Sequence, residues 1–165
     1  GGDCPGRDLD RVGRPEGWRR LFCIDAGEGL LLCYEAPGAP QVFLEQGNSD
    51  VQMQLGISHS VVDKAQGFYE VILSVTVTAK TGDKPAFVVE VQQAGVFHVL
   101  GVGDEILERT LEITAPSVLL PFAREAVSDL IGKGGFPPLL ITPINFEQLY
   151  EQKQAAQKAP VAGHA

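Results

Sequence analysis

Residues able to carry out chemistry are few in this chain, and their spacing does not gather them. The three histidines, His59, His98 and His164, fall in a connection, at a strand end and in the last residues. Neither to each other nor to Cys4, Cys23 and Cys33 do they show the spacing of metal ligands, so no metal site is expected. Gly101-Val-Gly103 lacks the third glycine of a dinucleotide loop. Gly132-Lys-Gly134 lacks the hydroxyl residue and spacing of a phosphate loop, and it ends a helix where such a loop would start one. Glu90 is a carboxylate on a strand among apolar and amide neighbours. A single carboxylate without a paired acid, base or nucleophile is not a hydrolase site. Neither an enzyme activity nor a cofactor is expected.

Composition narrows the field further. A chain of 165 residues with a hydrophobic fraction of 44% can bury a real core as one domain. Its 21 acidic against 13 basic side chains give a net charge of -8, which disfavours nucleic acid and anionic lipid and would attract a basic or metal-bearing partner. Three cysteines cannot pair completely, so a reducing, cytoplasmic setting is expected. The longest early apolar run, residues 30–33, is too short for a leader core or a membrane span, and no membrane insertion is expected.

The elements that must position any site are organised around one stretch. Tyr69-Glu-Val-Ile-Leu-Ser-Val-Thr-Val-Thr78 places Val71, Leu73, Val75 and Val77 on one side and polar residues on the other. After a turn at Thr81-Gly-Asp-Lys84 the chain returns through residues 86–97, with Phe87, Val89, Val91 and Phe97 on one face. A three-residue loop would set Val77 opposite Phe87 and align the two apolar rows, whereas a loop one residue longer or shorter would set Thr76 or Thr78 against that row, which periodicity alone does not exclude. Val51-Gln-Met-Gln-Leu-Gly-Ile57 is a third strand, residues 58–66 a connection, and residues 31–34 a short first strand. The expected fold is therefore α+β, a four-stranded antiparallel meander with helices packed on it, mainly C-terminal.

The helices are expected after residue 103: a short one capped by Asp104, a stronger one over residues 117–133 with Pro121 in its first turns, and a last one capped by Asn145. Residues 1–33 hold all the cysteines and five of the seven arginines but no lysine, and are expected to be a poorly ordered segment. The folded unit is expected over 34–152, with a flexible tail over 153–165. One amphipathic helix and one marginal one are too little to cover both sheet faces, so the sheet should be buried by oligomerisation or left open for an apolar ligand. Gln92 and Gln93 inside a strand fit a contact surface better than a core.

From Tyr34 to about Gln152 the chain resembles the SecB family of bacterial protein-export chaperones. The resemblance rests on Tyr34-Glu-Ala-Pro-Gly-Ala-Pro-Gln-Val-Phe43, Tyr69 to Thr78 as written above, Glu90-Val-Gln-Gln-Ala-Gly-Val-Phe97, Pro121-Phe-Ala-Arg-Glu125, and Gly135-Phe-Pro-Pro138 followed by Pro143-Ile-Asn-Phe146. It implies a cytoplasmic homotetramer, a dimer of dimers, that holds unfolded precursor proteins without ATP and delivers them to the translocation ATPase SecA. It further implies client-binding roles for Phe43, Val51, Met53, Leu55, Phe87 and Phe136, SecA docking at Glu35 and Glu90, and a subunit contact at Val89, Val91 and Gln93. Two departures stand out: Gln46-Gly-Asn-Ser49 where the family usually has an aromatic, and residues 19–33, which lack the family's first-strand pattern and its docking aspartate. The competing expectation is an apolar-ligand-binding or interaction β domain without chaperone activity.

Overall fold

The computed structural model describes residues 22–25, 29–44 and 49–158. Five strands form one antiparallel sheet: β1 (Phe22–Asp25), β2 (Leu30–Glu35), β3 (Ser49–Asp63), β4 (Phe68–Thr81) and β5 (Lys84–His98), in the spatial order β1-β2-β5-β4-β3. The expected meander holds for β3, β4 and β5. Strand β2 sits beside β5 instead of β3, a Greek-key order. The four expected strands are joined at the β2 edge by β1, which pairs Cys23 with Cys33 inside the segment expected to lack order. Strand β3 also runs on through residues 58–63, where a connection was expected, because Ser58 to Val61 find ladder partners from Ile72 to Tyr69.

The hairpin register differs from expectation by an even number of residues. Val77 pairs with Val89 and Ala79 with Phe87, where a three-residue loop would have paired Val77 with Phe87. The turn is shorter, since Thr81 faces Lys84 directly, with φ 61 at Gly82 alone, the sign pattern of a II′ turn. Lys80 then faces Pro85, which makes Ala86 an extra residue beside a proline that has no N–H for the ladder. Because the shift is even, both apolar rows still meet on one face.

That face is the core. Val71, Leu73, Val75, Val77, Ala79, Val89 and Val91 are all but fully buried. They pack beneath α2 (Ala115–Lys133), whose Leu119, Leu120, Ala123, Ala126, Val127, Leu130 and Ile131 recur at three-four spacing. Burial of each such valine or leucine contributes roughly 1.5–3 kcal/mol. The opposite face carries Ser74, Thr76 and Thr78 at intermediate burial.

The helices expected separately form one run. Helix α1 (Asp104–Arg109) begins with Asp104 inside it, not as its cap, and continues through a π turn (Thr110–Thr114) into α2. The wider turn has a local cause: Pro116 has no N–H for the carbonyl of Glu112, and the Ala115 amide bonds instead to Thr110, five residues back. Helix α2 ends in a Schellman motif, with Phe136 N–H on Ile131 O at 3.2 Å, Gly135 N–H on Gly132 O at 3.1 Å, and φ 90 at Gly135. Helix α3 (Phe146–Lys158) starts as expected on Asn145, whose side-chain oxygen accepts from Gln148 N at 3.1 Å, and it extends past the tail boundary expected at 153.

Candidate functional site: an aromatic cluster beside an apolar edge strand

The proline-rich connection after β2 cannot form an α-helix. It passes a cis Ala39–Pro40 peptide into a 3-10 turn (Gln41–Leu44), with Val42 buried and Phe43 turned outward. There Phe43 meets the chain leaving α2. Its ring centroid lies 5.0 Å from that of Phe136, which lies 4.7 Å from Phe87, and Phe87 stacks at 6.3 Å on Tyr34. Four rings from the connection, β5, β2 and the segment after α2 thus make one cluster, in the tilted and offset geometries that aromatic pairs prefer.

The cluster borders a cavity of 340 Å³ lined by Tyr34, Ala36, Ala39, Phe43, Leu130, Lys133 and Gly134. Two glycines keep it open. A Cβ on Gly134 would fall on the Tyr34 ring, and one on Gly135 would crowd Phe43 at 3.1 Å. The Tyr34 hydroxyl donates to Gly134 O at 3.3 Å, and burial pushes the phenol up to about 12. Since the folded value lies above the unfolded value near 10, the neutral phenol's contribution to stability is complete below pH 10 and lost as pH rises toward 12. An ultraviolet titration at 295 nm should find one tyrosine ionising near the upper limit, and Tyr34→Phe should abolish that late step.

On the same sheet face Val51 pairs with Ala79, and Ala79 with Phe87. Two strand spacings, about 10 Å, therefore separate Val51 from the cluster. Strand β3 is an outer edge, along which Val51 and Met53 are 41% and 40% exposed while Leu55 and Ile57 are half-buried. All six expected client-binding residues, Phe43, Val51, Met53, Leu55, Phe87 and Phe136, are so placed on one continuous side of the molecule. Three of them touch in the aromatic cluster and three line the edge strand. Tyr34, Leu130 and Gly134 were missed by sequence reasoning. Tyr34 alone carried a signal, since it is an aromatic in phase with the apolar face of β2.

The other expected residues fall elsewhere. Glu35 pairs with Val88 and Glu90 with Cys33, which makes the two carboxylates diagonal neighbours on the face opposite α2. They are only 4% and 7% exposed, and neither is without a partner. Val89 and Val91, expected at a subunit contact, lie in the core under α2. The Gln93 amide, expected on a contact surface, donates within the chain to Gly29 O and Ala94 O, both at 3.2 Å. Among the described residues no three His, Cys, Asp or Glu side chains are grouped to hold a metal, and no helix is long and apolar enough to cross a membrane.

Comparison with known proteins gives this geometry a family. The family model for SecB, described as preprotein translocase subunit SecB, matches residues 31–157. The protein-export protein SecB of Chromobacterium violaceum is 48% identical over 74% of this chain and 81% of its own length. The SecB of Nitrosococcus oceani is 45% identical over 87% of this chain and 88% of its own. Among solved structures, a SecB-like chaperone of Mycobacterium tuberculosis in complex with a ChAD peptide from the HigA1 antitoxin shares the fold. Its TM-score is 0.52 at 18% identity, over 77% of this chain and 87% of that one. On the family model and these relatives, the chain belongs to the SecB family.

Proposed function

We propose that this protein is an ATP-independent holdase that binds unfolded precursor proteins in the cytoplasm and delivers them to SecA for export. The observation that carries the reading is the union of the Phe43–Phe87–Phe136 cluster and its 340 Å³ cavity with the exposed Val51–Met53 edge. An unfolded segment offers both things this side can take: aromatic or aliphatic side chains for the cavity, and extended backbone for an edge strand. Folded clients have buried the former and paired the latter. No bond is made or broken, because preferential binding of the unfolded chain lowers its free population by mass action.

The working state is a homotetramer, a dimer of dimers, in which a client wraps several weak sites and gains affinity from effective concentration. Val118 and Phe122 stand exposed on α2 and supply an apolar surface for subunit contact. Val89, Val91 and Gln93 serve that contact from beneath, by fixing the seat of α2 and the end of β5. Glu35 and Glu90 are the acidic positions for SecA docking, side by side on the sheet face opposite α2.

Light scattering with and without a reduced, unfolded client tests the reading. The expected result is a tetramer whose mass rises with the unfolded client and does not rise with the same client folded. A particle that binds neither form would favour the interaction-domain alternative.

A further inference from the structure

The π turn puts two consecutive residues, Leu111 and Glu112, inward together. The Glu112 side chain is 9% exposed, and a carboxylate so far from water requires a cation. Lys153 of α3 supplies it, donating to both carboxylate oxygens at 2.9 and 3.0 Å, and His59 Nε2 of β3 lies 3.4 Å away. The two partners differ in exposure. Glu112 is fixed by its helix, whereas Lys153 is 49% exposed at the end of a long side chain, past the last large apolar residues of α3, Leu149 and Tyr150. Beside the pair lies a cavity of 260 Å³ walled by Leu55, Ile57, Leu149 and Tyr150. An aliphatic stem against such walls with its charged head on Glu112 is the posture a lysine or arginine favours.

We propose that Glu112 is a binding site for a basic side chain of the client, occupied at rest by the chain's own Lys153. The inference rests on the client-binding reading above and names one feature of what is bound. A client extended along β3 past Val51 and Met53 reaches Leu55 next, and a lysine or arginine there finds apolar walls and a desolvated carboxylate. Arginine is favoured, since its planar fork matches the carboxylate with two parallel hydrogen bonds. Lys153, already half in water, gives up its place and returns to full hydration.

The test uses two labelled ten-residue peptides of alternating apolar sequence, one with a central arginine and one with norleucine there, read by fluorescence anisotropy. The wild-type protein should prefer the arginine peptide about tenfold, the size of one charge-assisted hydrogen bond. Lys153→Ala removes the internal competitor and should widen the preference. Glu112→Gln should reduce it to within about twofold, while Glu125→Gln, an exposed acid with the same loss of charge, should keep it. Equal preference in Glu112→Gln and wild type would overturn the site, and an equal fall in Glu112→Gln and Glu125→Gln would overturn it too and assign the effect to net charge. Binding of both peptides without preference would overturn the site alone, and failure of every variant to bind either peptide would overturn the chaperone reading with it.

Discussion

Gly134→Ala should lower stability by about 1–3 kcal/mol and weaken client binding by about tenfold or more. The added methyl would occupy the place of the Tyr34 ring edge, and that ring cannot swing freely because Phe87 stacks against it. Either Tyr34 leaves the cavity wall, losing its bond to Gly134 O, or the end of α2 moves and the Schellman bonds at Gly135 and Phe136 loosen. Both routes reshape the aromatic pocket. Gly132→Ala, two residues earlier and facing open space, should be neutral or stabilising by up to about 1 kcal/mol. Tyr34→Leu in the Gly134→Ala background should recover much of the lost stability without restoring affinity. Urea unfolding and peptide anisotropy on the four proteins would separate these effects.

Leu73→Ala should cost about 2–5 kcal/mol and lower the melting temperature by roughly 5–20 °C, with little change in client affinity per folded molecule. Leu73 is, with Ile131, among the largest fully buried side chains of the described residues and lies between Ile57 and Gln93 in the sheet. The valines around it cannot collapse into the space because strand spacing holds them apart. Thr76→Ala, three residues along on the opposite face and at intermediate burial, should change stability by no more than about 1 kcal/mol. A comparable loss from both substitutions would mean that α2 is not what buries the odd-numbered face. Calorimetry at fixed protein concentration reads this directly.

How much of this was legible follows from what each signal depends on. The alternation of Val71, Leu73, Val75 and Val77 identified β4 and its buried face, because a strand with one covered face must alternate. The pairing of Val77 was not legible, since it depends on one bulge at Ala86 and the II′ turn at Gly82, and alternation is blind to a shift of two. The continuation of β3 to Asp63 and the place of β2 beside β5 are settled by long-range pairing, which no local pattern encodes. Phe43, Phe87 and Phe136 were found through family resemblance, and only the fold explains why residues 93 positions apart share one cluster with Tyr34. Glu112 gave no signal at all, because its burial arises from a π turn caused by Pro116 four residues on.

One kinetic measurement bears most directly on the central claim that this protein holds unfolded chains through the aromatic cluster and the β3 edge. A slowly folding client diluted from denaturant would be followed by its own tryptophan fluorescence, with this protein in excess, and with the Phe43→Ala and Phe136→Ala variants in its place. The account predicts that the wild-type protein slows refolding in proportion to its concentration, leaves the already folded client untouched, and loses most of this effect in either variant. Refolding at the unassisted rate in the presence of the wild-type protein would contradict it.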